Sequence, residues 1–293
     1  RARWPTMEVA SSSARQLPHT PQDRHHRTMK LLIVPARTGI TWVKLGIRTF
    51  FRQPLALSGL FFMFLAVMSL ASMVPLIGLG LAMALLPACT LGLMAASKEA
   101  HEGNFPMPLV FLSAFRAGRQ QLRAMLMLGV MYGVALAVVM GITALFDGGH
   151  FAASYLAGSA PTIEMARDSG SRTAMLVFLM LQLPLSLMFW HAPALVHWHH
   201  VPPLKSVFFS LVACMRNFWA FTLFGLAWMA ITMALIVCIS LLAGLMGDAQ
   251  VAGVVLVPGT LMIAAMIFTS TYFSFRDCFL ADPEMSAPIE APS

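Results

Sequence analysis

The fold is decided by the stretch RTGITWVKLGIRTFFR (37–52) and the two uncharged runs behind it, LALSGLFFMFLAVMSLASMV (55–74) and LIGLGLAMALLPACTLGLMAA (76–96). About twenty helical residues at ~1.5 Å each cover the ~30 Å hydrocarbon core of a bilayer, so each run predicts a membrane-spanning helix. Pro75 separates the two runs by so little chain that they must form an antiparallel hairpin.

Residues 37–52 predict an amphipathic helix at the membrane surface. At 100° per residue the cations fall on one narrow stripe and apolar residues cover the rest of the helix. The apolar side of such a helix sinks into the acyl boundary, while its cations meet lipid phosphates. The alternative is a helix of a soluble protein core with one solvent-exposed edge. The predicted spans that follow directly disfavour this alternative. The stripe consists of Arg37, Thr41, Lys44, Arg48 and Arg52.

The composition belongs to a membrane protein. The chain of 293 residues is 58% hydrophobic and 11% charged, whereas soluble domains carry about 25% charged residues. The net charge of +7 does not indicate nucleic-acid binding, because residues 1–28 hold five arginines against two acids and the other cations lie beside spans. The four cysteines show no paired spacing, so neither a disulfide framework nor a zinc site is predicted.

The two ends of the chain differ from its middle. Residues 1–28 are polar and lack the apolar core of a signal peptide, so they predict either a disordered tail or a mis-called extension upstream of a natural start at Met29. Residues 29–280 predict the membrane domain. The acidic, proline-rich residues 281–293 predict a second disordered tail.

The fold class predicted for residues 29–280 is an all-α bundle of six transmembrane helices with three amphipathic helices before the odd-numbered spans. A weak threefold repeat of one amphipathic helix and one hairpin is also predicted, since each amphipathic helix ends in an arginine followed by an amide. The alternative is that membrane proteins commonly place arginine at cytoplasmic span ends. The predicted spans are 55–74, 76–96, 124–146, 173–196, 218–242 and 251–275, the later amphipathic helices are 109–123 and 204–217, and the arginine–amide pairs are Arg52-Gln53, Arg119-Gln120 and Arg216-Asn217.

The distribution of cations predicts the orientation. Twelve lysines and arginines after residue 29 fall on one side of the six spans, and only Arg167 and Arg172 fall on the other. The positive-inside rule therefore places both termini in the cytoplasm. Anionic lipid is the predicted partner of the cytoplasmic cations, and a protein partner or a second copy of the chain is the other candidate. The cations predicted to face lipid are Lys44, Arg48, Arg52, Arg116, Arg119, Arg123, Lys205 and Arg216.

Small residues recur every four positions in spans 2 and 3. Such a pattern makes a flat face that lets two helix backbones approach closely in lipid, so we expect these spans to cross there. The alternative is that glycine and alanine are simply common in spans. The two faces are Gly80, Ala84, Ala88 and Gly92 in span 2, and Gly129, Gly133, Ala137 and Gly141 in span 3.

The predicted spans contain no Asp, Glu, Lys or Arg. This argues against proton-coupled pumps and ion carriers, which generally need such a group. Gln182 and His191 are the candidates for a substrate path, although Gln182 could simply bond a carbonyl freed by Pro184. His191, His197, His199 and His200 could bind a transition metal, but no acid or cysteine is near them in sequence, so neither a metal nor another cofactor is predicted.

Three segments carry a resemblance to a known family. MKLLIVPARTGITWVKLGIRTFFRQPLAL (29–57), WHAPALVHW (190–198) and FFSLVACMRNFWAF (208–221) resemble a family of uncharacterised six-span inner-membrane proteins of betaproteobacteria. More distantly, the helix-plus-hairpin plan looks like the membrane domain of glycerophosphoryl diester phosphodiesterases, without their soluble catalytic domain. The resemblance implies a bacterial inner-membrane location and no particular activity.

No catalytic motif accompanies this architecture. The sequence lacks His-Glu-x-x-His, Gly-x-Ser-x-Gly, P-loop and Gly-x-Gly-x-x-Gly patterns, and the segments outside the spans are too short for a catalytic domain. We therefore expect a non-catalytic structural, accessory or lipid-interacting protein. The alternative is a transporter or flippase for a neutral or lipid-like substrate, working through the proline-containing spans 4 and 6.

Overall fold

The computed structural model of the protein describes residues 30–75, 77–112, 118–159, 162–246 and 249–280. Six of its helical segments are long and apolar enough to cross a membrane, so the six predicted spans are confirmed. The predictions for residues 1–28 and for the tail 281–293 lie outside the described residues.

The helices follow the apolar runs closely. The second span is longer than predicted, because its helix continues through Ser97-Lys98-Glu99. In chain order the helices are α1 (Thr38–Arg52), α2 (Pro54–Ser72), α3 (Gly78–Glu102), a 3-10 helix (Pro108–Leu112), α4 (Arg119–Asp147), α5 (His150–Leu156), α6 (Ile163–Arg167), α7 (Ser169–Trp190), α8 (Ala192–His199), α9 (Pro203–Arg216), α10 (Phe218–Met246) and α11 (Ala249–Cys278).

The membrane helices form three hairpins, and one helix of the first hairpin, α3, lies at the centre of the bundle. The hairpins are α2 with α3, α4 with α7, and α10 with α11. Helix α3 is central, since it packs against α2, α4 and α11, and its Leu91 and Ala96 are fully buried. Helices α7 and α10 are peripheral and expose rows of large apolar side chains, such as Met180 and Leu241.

Most of the apolar side of helix α1 packs against protein rather than against the acyl boundary, which corrects the prediction for that side, although Ile40 and Phe51 stay exposed. Trp42 is fully buried and Phe50 is 1% exposed, because α1 lies on α10 and α11. A Cβ added to Gly39 would overlap the Ala220 carbonyl oxygen, and one added to Gly46 would lie 2.5 Å from Ser270 Cβ. These two glycines therefore let the backbones approach closely, while the cationic stripe stays exposed.

Two short antiparallel strands pair the beginning of the described chain with its end, so the described fold is not entirely helical. Strand β1 (Lys30–Leu31) pairs with β2 (Phe279–Leu280), in the register Lys30 to Leu280 and Leu31 to Phe279. The sequence gives no signal for a strand of two residues. The pairing places both ends of the described chain at one end of the bundle, which we call the strand end.

The second amphipathic segment, predicted as one helix over 109–123, is interrupted. The 3-10 helix ends at Leu112, Gly118 has a φ of 102°, and a new helix begins at Arg119. This φ lies outside the range of a right-handed helix and suits only glycine. Arg119 and Arg123 therefore belong to the first turns of the third span.

The fourth span bends at His191 and not at its prolines alone. Helix α7 runs through Pro184 to Trp190, and α8 begins at Ala192 with Pro193 in its first turn, where a missing N–H costs nothing. The gap between the predicted span 173–196 and the predicted amphipathic helix 204–217 is shorter than expected, because α8 continues to His199. His200, with a φ of 52°, ends that helix.

Candidate functional site

The strand end holds a closed polar cluster around His191. This residue lies between α7 and α8 and is fully buried. Its backbone N–H donates to Ser210 Oγ of α9 at 2.9 Å, and its Nε2 lies 3.2 Å from Ser274 Oγ of α11. Three separate parts of the bundle therefore meet at one residue.

The Ser274 hydroxyl assigns the tautomer of His191. Its Oγ donates to Thr271 O at 2.8 Å and also lies 3.2 Å from Trp190 Nε1. Because a hydroxyl carries one proton, the oxygen must accept from both Trp190 and His191. The ring proton of His191 is therefore on Nε2, and its Nδ1 faces Cys214 Sγ at 4.0 Å.

Aromatic rings enclose this histidine. The centroids of Phe221, Phe275 and Phe279 lie 5.7, 5.9 and 5.4 Å from that of the imidazole. Burial raises the pKa of the neighbouring Cys214 thiol, and the nearby Cys278 raises it further, so Cys214 stays protonated at neutral pH and is not a nucleophile. The cluster is suited to holding helices together rather than to chemistry on a substrate.

The other three candidate histidines lie at the end of α8 and do not join His191 in a metal site. His200 Nδ1 is 3.4 Å from Gln121 Oε1, and the ring of His199 packs against Phe275 at 5.7 Å. His197 Nδ1 is buried without a hydrogen-bond partner. Across the described parts of the chain, no three His, Cys, Asp or Glu side chains are arranged to hold a metal ion.

Gln182 lies between the two helices of the second hairpin. Its Nε2 is 3.5 Å from Ser186 Oγ, and its side chain lies near that of Tyr132 of α4. The Gln182 Oε1 atom is buried and has no partner. The structure thus places Gln182 beside α4 within the span, and it places His191 at the strand end.

The cations of α1 border a mixed network of charges. Arg52 donates to the His101 carbonyl oxygen at 3.1 Å. Arg276 pairs with Asp277 at 2.9 Å and lies 3.4 Å from His101 Nε2. Lys44 and Arg48 are exposed, and nearby Lys98 is 4.0 Å from Glu102. On this side of the bundle, cations and carboxylates are therefore interleaved.

The cations of α4 and α9 lie in different surroundings. Arg119, Arg123, Lys205 and Arg216 are exposed, and no ion pair found among the described residues joins them to a carboxylate. Gln121 is 7% exposed and donates through Nε2 to the Val196 carbonyl oxygen of α8. It thereby holds the start of α4 against α8. Arg116 lies outside the described residues.

The small-residue faces of α3 and α4 meet at one point rather than along their length. A Cβ added to Gly129 would overlap the Ala84 backbone, whereas one added to Gly133 would lie 3.4 Å from Met83 Cβ. Gly92 packs beside Phe111 of the 3-10 helix. Gly80 and Gly141 face open space, Ala88 is buried and Ala137 is exposed.

Three amides at the strand end were not assigned a role by sequence reasoning. Gln53 donates to the Asn104 carbonyl oxygen at 3.0 Å. Asn217 accepts from Val34 N–H at 2.8 Å and donates to Leu32 O at 3.0 Å. With Gln121, each amide starts the first helix of a hairpin and bonds backbone close to where the second helix ends. The arginine–amide pairs in the sequence include Gln53 and Asn217, but the third pair contains Gln120 rather than Gln121.

Comparison with known proteins identifies a relative. Over 254 residues the chain is 37% identical to a probable inner membrane protein of Burkholderia thailandensis. The aligned region covers 86% of this chain and 94% of that protein. No family model matches the chain, and no solved structure matches it. With its six apolar helices, the chain is a multi-pass inner-membrane protein and belongs to the family of this Burkholderia protein.

Proposed function

We propose that the chain is a non-catalytic protein of the bacterial inner membrane that binds anionic lipid through the cations at its strand end. One observation carries this proposal. Exposed cations such as Arg123 and Lys205 lie there beside exposed apolar side chains such as Met127, at 55%, and Phe208, at 60%. Such a surface contacts acyl chains and phosphates at the same time.

The same proposal places the strand end in the cytoplasm. The pairing of β1 with β2 holds the two ends of the described chain together, as an even number of spans requires. Arg167 and Arg172, the two cations assigned to the other side, lie in or beside the segment that joins α4 to α7. The positive-inside rule then orients the strand end inward, with the amphipathic helices α1 and α9 on the cytoplasmic leaflet.

A threefold repeat is part of this proposal. The 3-10 helix packs on α3, α9 packs on α7, and α1 packs on α10 and α11, so each segment that precedes a hairpin packs on a different hairpin in cyclic order. The amides Gln53, Gln121 and Asn217 recur at equivalent places in the three units. The likeness of this plan to the membrane domain of glycerophosphoryl diester phosphodiesterases belongs to the same proposal.

The chemistry of the polar groups at the strand end supports a role without catalysis. The His191 imidazole has both of its ring nitrogens directed at protein, Nε2 at Ser274 and Nδ1 at Cys214. Arg276 and Asp277 are paired with each other. A catalytic group would instead need reach to a reacting atom, so these side chains are better suited to positioning helices.

The experiment is lipid analysis of the purified protein. The chain is extracted from its native membrane in mild detergent, and the bound lipids are compared by mass spectrometry with the bulk membrane lipids. Enrichment of anionic phospholipid in the bound fraction is the expected result. A bound fraction with the composition of the bulk membrane would contradict the proposal.

A second candidate function is transport of a neutral or lipid-like substrate. It is favoured by a cavity of about 190 Å³ between α2 and α11, which is lined by Ser58, Phe61, Pro258 and Met262 among others. The unpartnered Gln182 Oε1 adds a polar group inside another span. Proteoliposomes containing a fluorescent phospholipid test this function, since a flippase makes the inner-leaflet label accessible to an external quencher faster than empty liposomes do.

A further inference from the structure

The cations at the strand end fall into two groups that differ in their carboxylate neighbours. Around α1, α3 and α11, Arg276 pairs with Asp277 and Lys98 lies by Glu102. By contrast, the sequence has no acid anywhere from 169 to 246, nor from 119 to 146. Helices α8 and α9 and the first turns of α4 therefore present cations without a carboxylate in their own segments, and no ion pair among the described residues reaches these cations.

The structure brings these cations to the same end of the bundle. Gln121 bonds Val196 and His200 of the α8 end, and Arg119 and Arg123, one turn apart, are exposed on the side of α4 that faces away from Gln121. His200 turns the chain into α9, where Lys205 occupies the first turn. Helix α9 also packs on α4 and α7. We call Arg119, Arg123, His200 and Lys205 the α4–α9 patch.

The nearest acids of the second hairpin are at its far end. Asp147 ends α4, so 28 helical steps separate it from Arg119, which is ~42 Å at ~1.5 Å per residue. That distance exceeds the ~8 Å Debye length at physiological salt several times. Asp147 therefore cannot neutralise the patch.

Apolar side chains adjoin the patch on the lipid-accessible side of α9. Leu204 and Phe208, one helical turn apart, are 69% and 60% exposed. Lys205 follows Leu204 directly, so a cation and two large apolar groups share one surface of the helix. This combination matches a phosphate group attached to acyl chains better than it matches a free anion or an acidic protein.

We propose that the α4–α9 patch is a binding site for the headgroup of an anionic phospholipid, whose acyl chains contact Leu204 and Phe208. The site rests on the proposed lipid-binding function and narrows it from the whole cationic surface to one of its two parts. The cations of α1 then act mainly in orientation and in packing of the strand end.

The test measures phosphatidylglycerol retention by the full chain. Protein is reconstituted in nanodiscs of phosphatidylcholine containing a minor share of phosphatidylglycerol, released into detergent, and analysed by native mass spectrometry. The patch variant carries Arg119→Gln, Arg123→Gln and Lys205→Gln. The matched control carries Arg37→Gln, Lys44→Gln and Arg48→Gln, which removes from α1 or its N-terminus three cations that are also exposed.

We expect the patch variant to retain phosphatidylglycerol with roughly a hundredfold lower apparent affinity, since each surface cation is worth about fivefold. The control should change by less than about twofold. Arg119→Lys with Arg123→Lys, which keeps the charge, should retain most of the binding. If the patch variant does not fold, as judged by its helical circular dichroism, Lys205→Gln alone takes its place. For this variant we expect an apparent affinity for phosphatidylglycerol about fivefold lower than that of the natural chain.

Each other outcome has a distinct meaning. Equal losses in the patch variant and the control would show diffuse attraction to the leaflet and overturn the site while leaving the proposed function. Unchanged retention by the patch variant would also overturn the site. If the natural chain shows no preference for phosphatidylglycerol over phosphatidylcholine, the proposed lipid-binding function fails as well.

Discussion

Trp42 donates its indole N–H to Asp277 Oδ2 at 2.9 Å, across 235 positions of the sequence. This bond joins α1 to the last turn of α11, next to the point where β2 begins. Asp277 is held from its other side by Arg276, so the carboxylate is fixed by both partners. The contact ties the start of the membrane domain to its end.

Removing the donor should weaken this junction. We expect Trp42→Phe to lower the free energy of unfolding by about 1.5–3 kcal/mol, because a hydrogen bond to a charged acceptor is lost. Unfolding in mixed micelles with increasing sodium dodecyl sulfate measures the change. Trp219→Phe is the control, since Trp219 is 70% exposed, and equal losses for both variants would contradict the role of Trp42.

The closest approach of α3 and α4 predicts a large difference between two glycines. Gly129→Ile should destabilise the fold by more than about 3 kcal/mol, because any Cβ there overlaps the Ala84 backbone and overpacking cannot be relieved by a rotamer change. Gly141→Ile, at a position with open space, should stay within about 1 kcal/mol of the natural chain. The same unfolding assay decides, and a fully stable Gly129→Ile protein would count against the crossing.

Neighbouring glutamines offer a matched pair for the amide bonds. Gln121 is buried and bonds α8, whereas Gln120 is exposed. Gln121→Leu should cost about 1–3 kcal/mol, because the Val196 carbonyl oxygen loses its side-chain donor. Gln120→Leu should change stability by less than about 0.5 kcal/mol. Similar effects at both positions would show that the bond to α8 does not matter.

The thiol of Cys214 should be protected by its surroundings. Burial raises its pKa above the ordinary thiol value of 9.0, so the folded protein should react with maleimide at pH 7 far more slowly than the unfolded protein does. A pKa that is higher in the folded state stabilises the fold below the unfolded value and loses that effect as the pH rises above about 9. Rapid labelling of Cys214 at pH 7 would contradict the enclosed cluster.

The orientation of the strand end is open to a direct test. A cysteine introduced at Ser159, between the two helices of the second hairpin, should react with a membrane-impermeant maleimide in intact cells. A cysteine introduced at Arg48 should not react with this maleimide until the membrane is permeabilised. The opposite pattern would invert the proposed topology and place the lipid-binding cations outside.

The spans were predictable because a membrane fixes their length and composition. Uncharged runs such as 55–74 needed no tertiary information, and α2 begins and ends within two residues of it. The fate of α1 was not predictable in the same way. Its pattern distinguishes a cationic side from an apolar one, but lipid and protein are equally good neighbours for Trp42, and only the packing of α10 and α11 decides between them.

The polar contacts of the strand end were harder still to foresee. His191 was singled out as an ionisable group in a span, yet its partners Ser210 and Ser274 are ordinary residues of distant helices. The interruption at Gly118 was also not predicted. The positive φ of this residue interrupts the predicted second amphipathic helix, whereas the apolar periodicity around it continues.

The contact of α1 with the last hairpin has a consequence for biosynthesis. The ribosome makes α1 before the membrane helices, but the surface that buries Trp42 consists of α10 and α11, which follow the other two hairpins in the chain. While the four helices of those two hairpins are inserted by the translocon, α1 has to wait without its final neighbours. An amphipathic helix can rest on the bilayer during that interval, so the sidedness that is hidden in the finished protein serves the nascent chain.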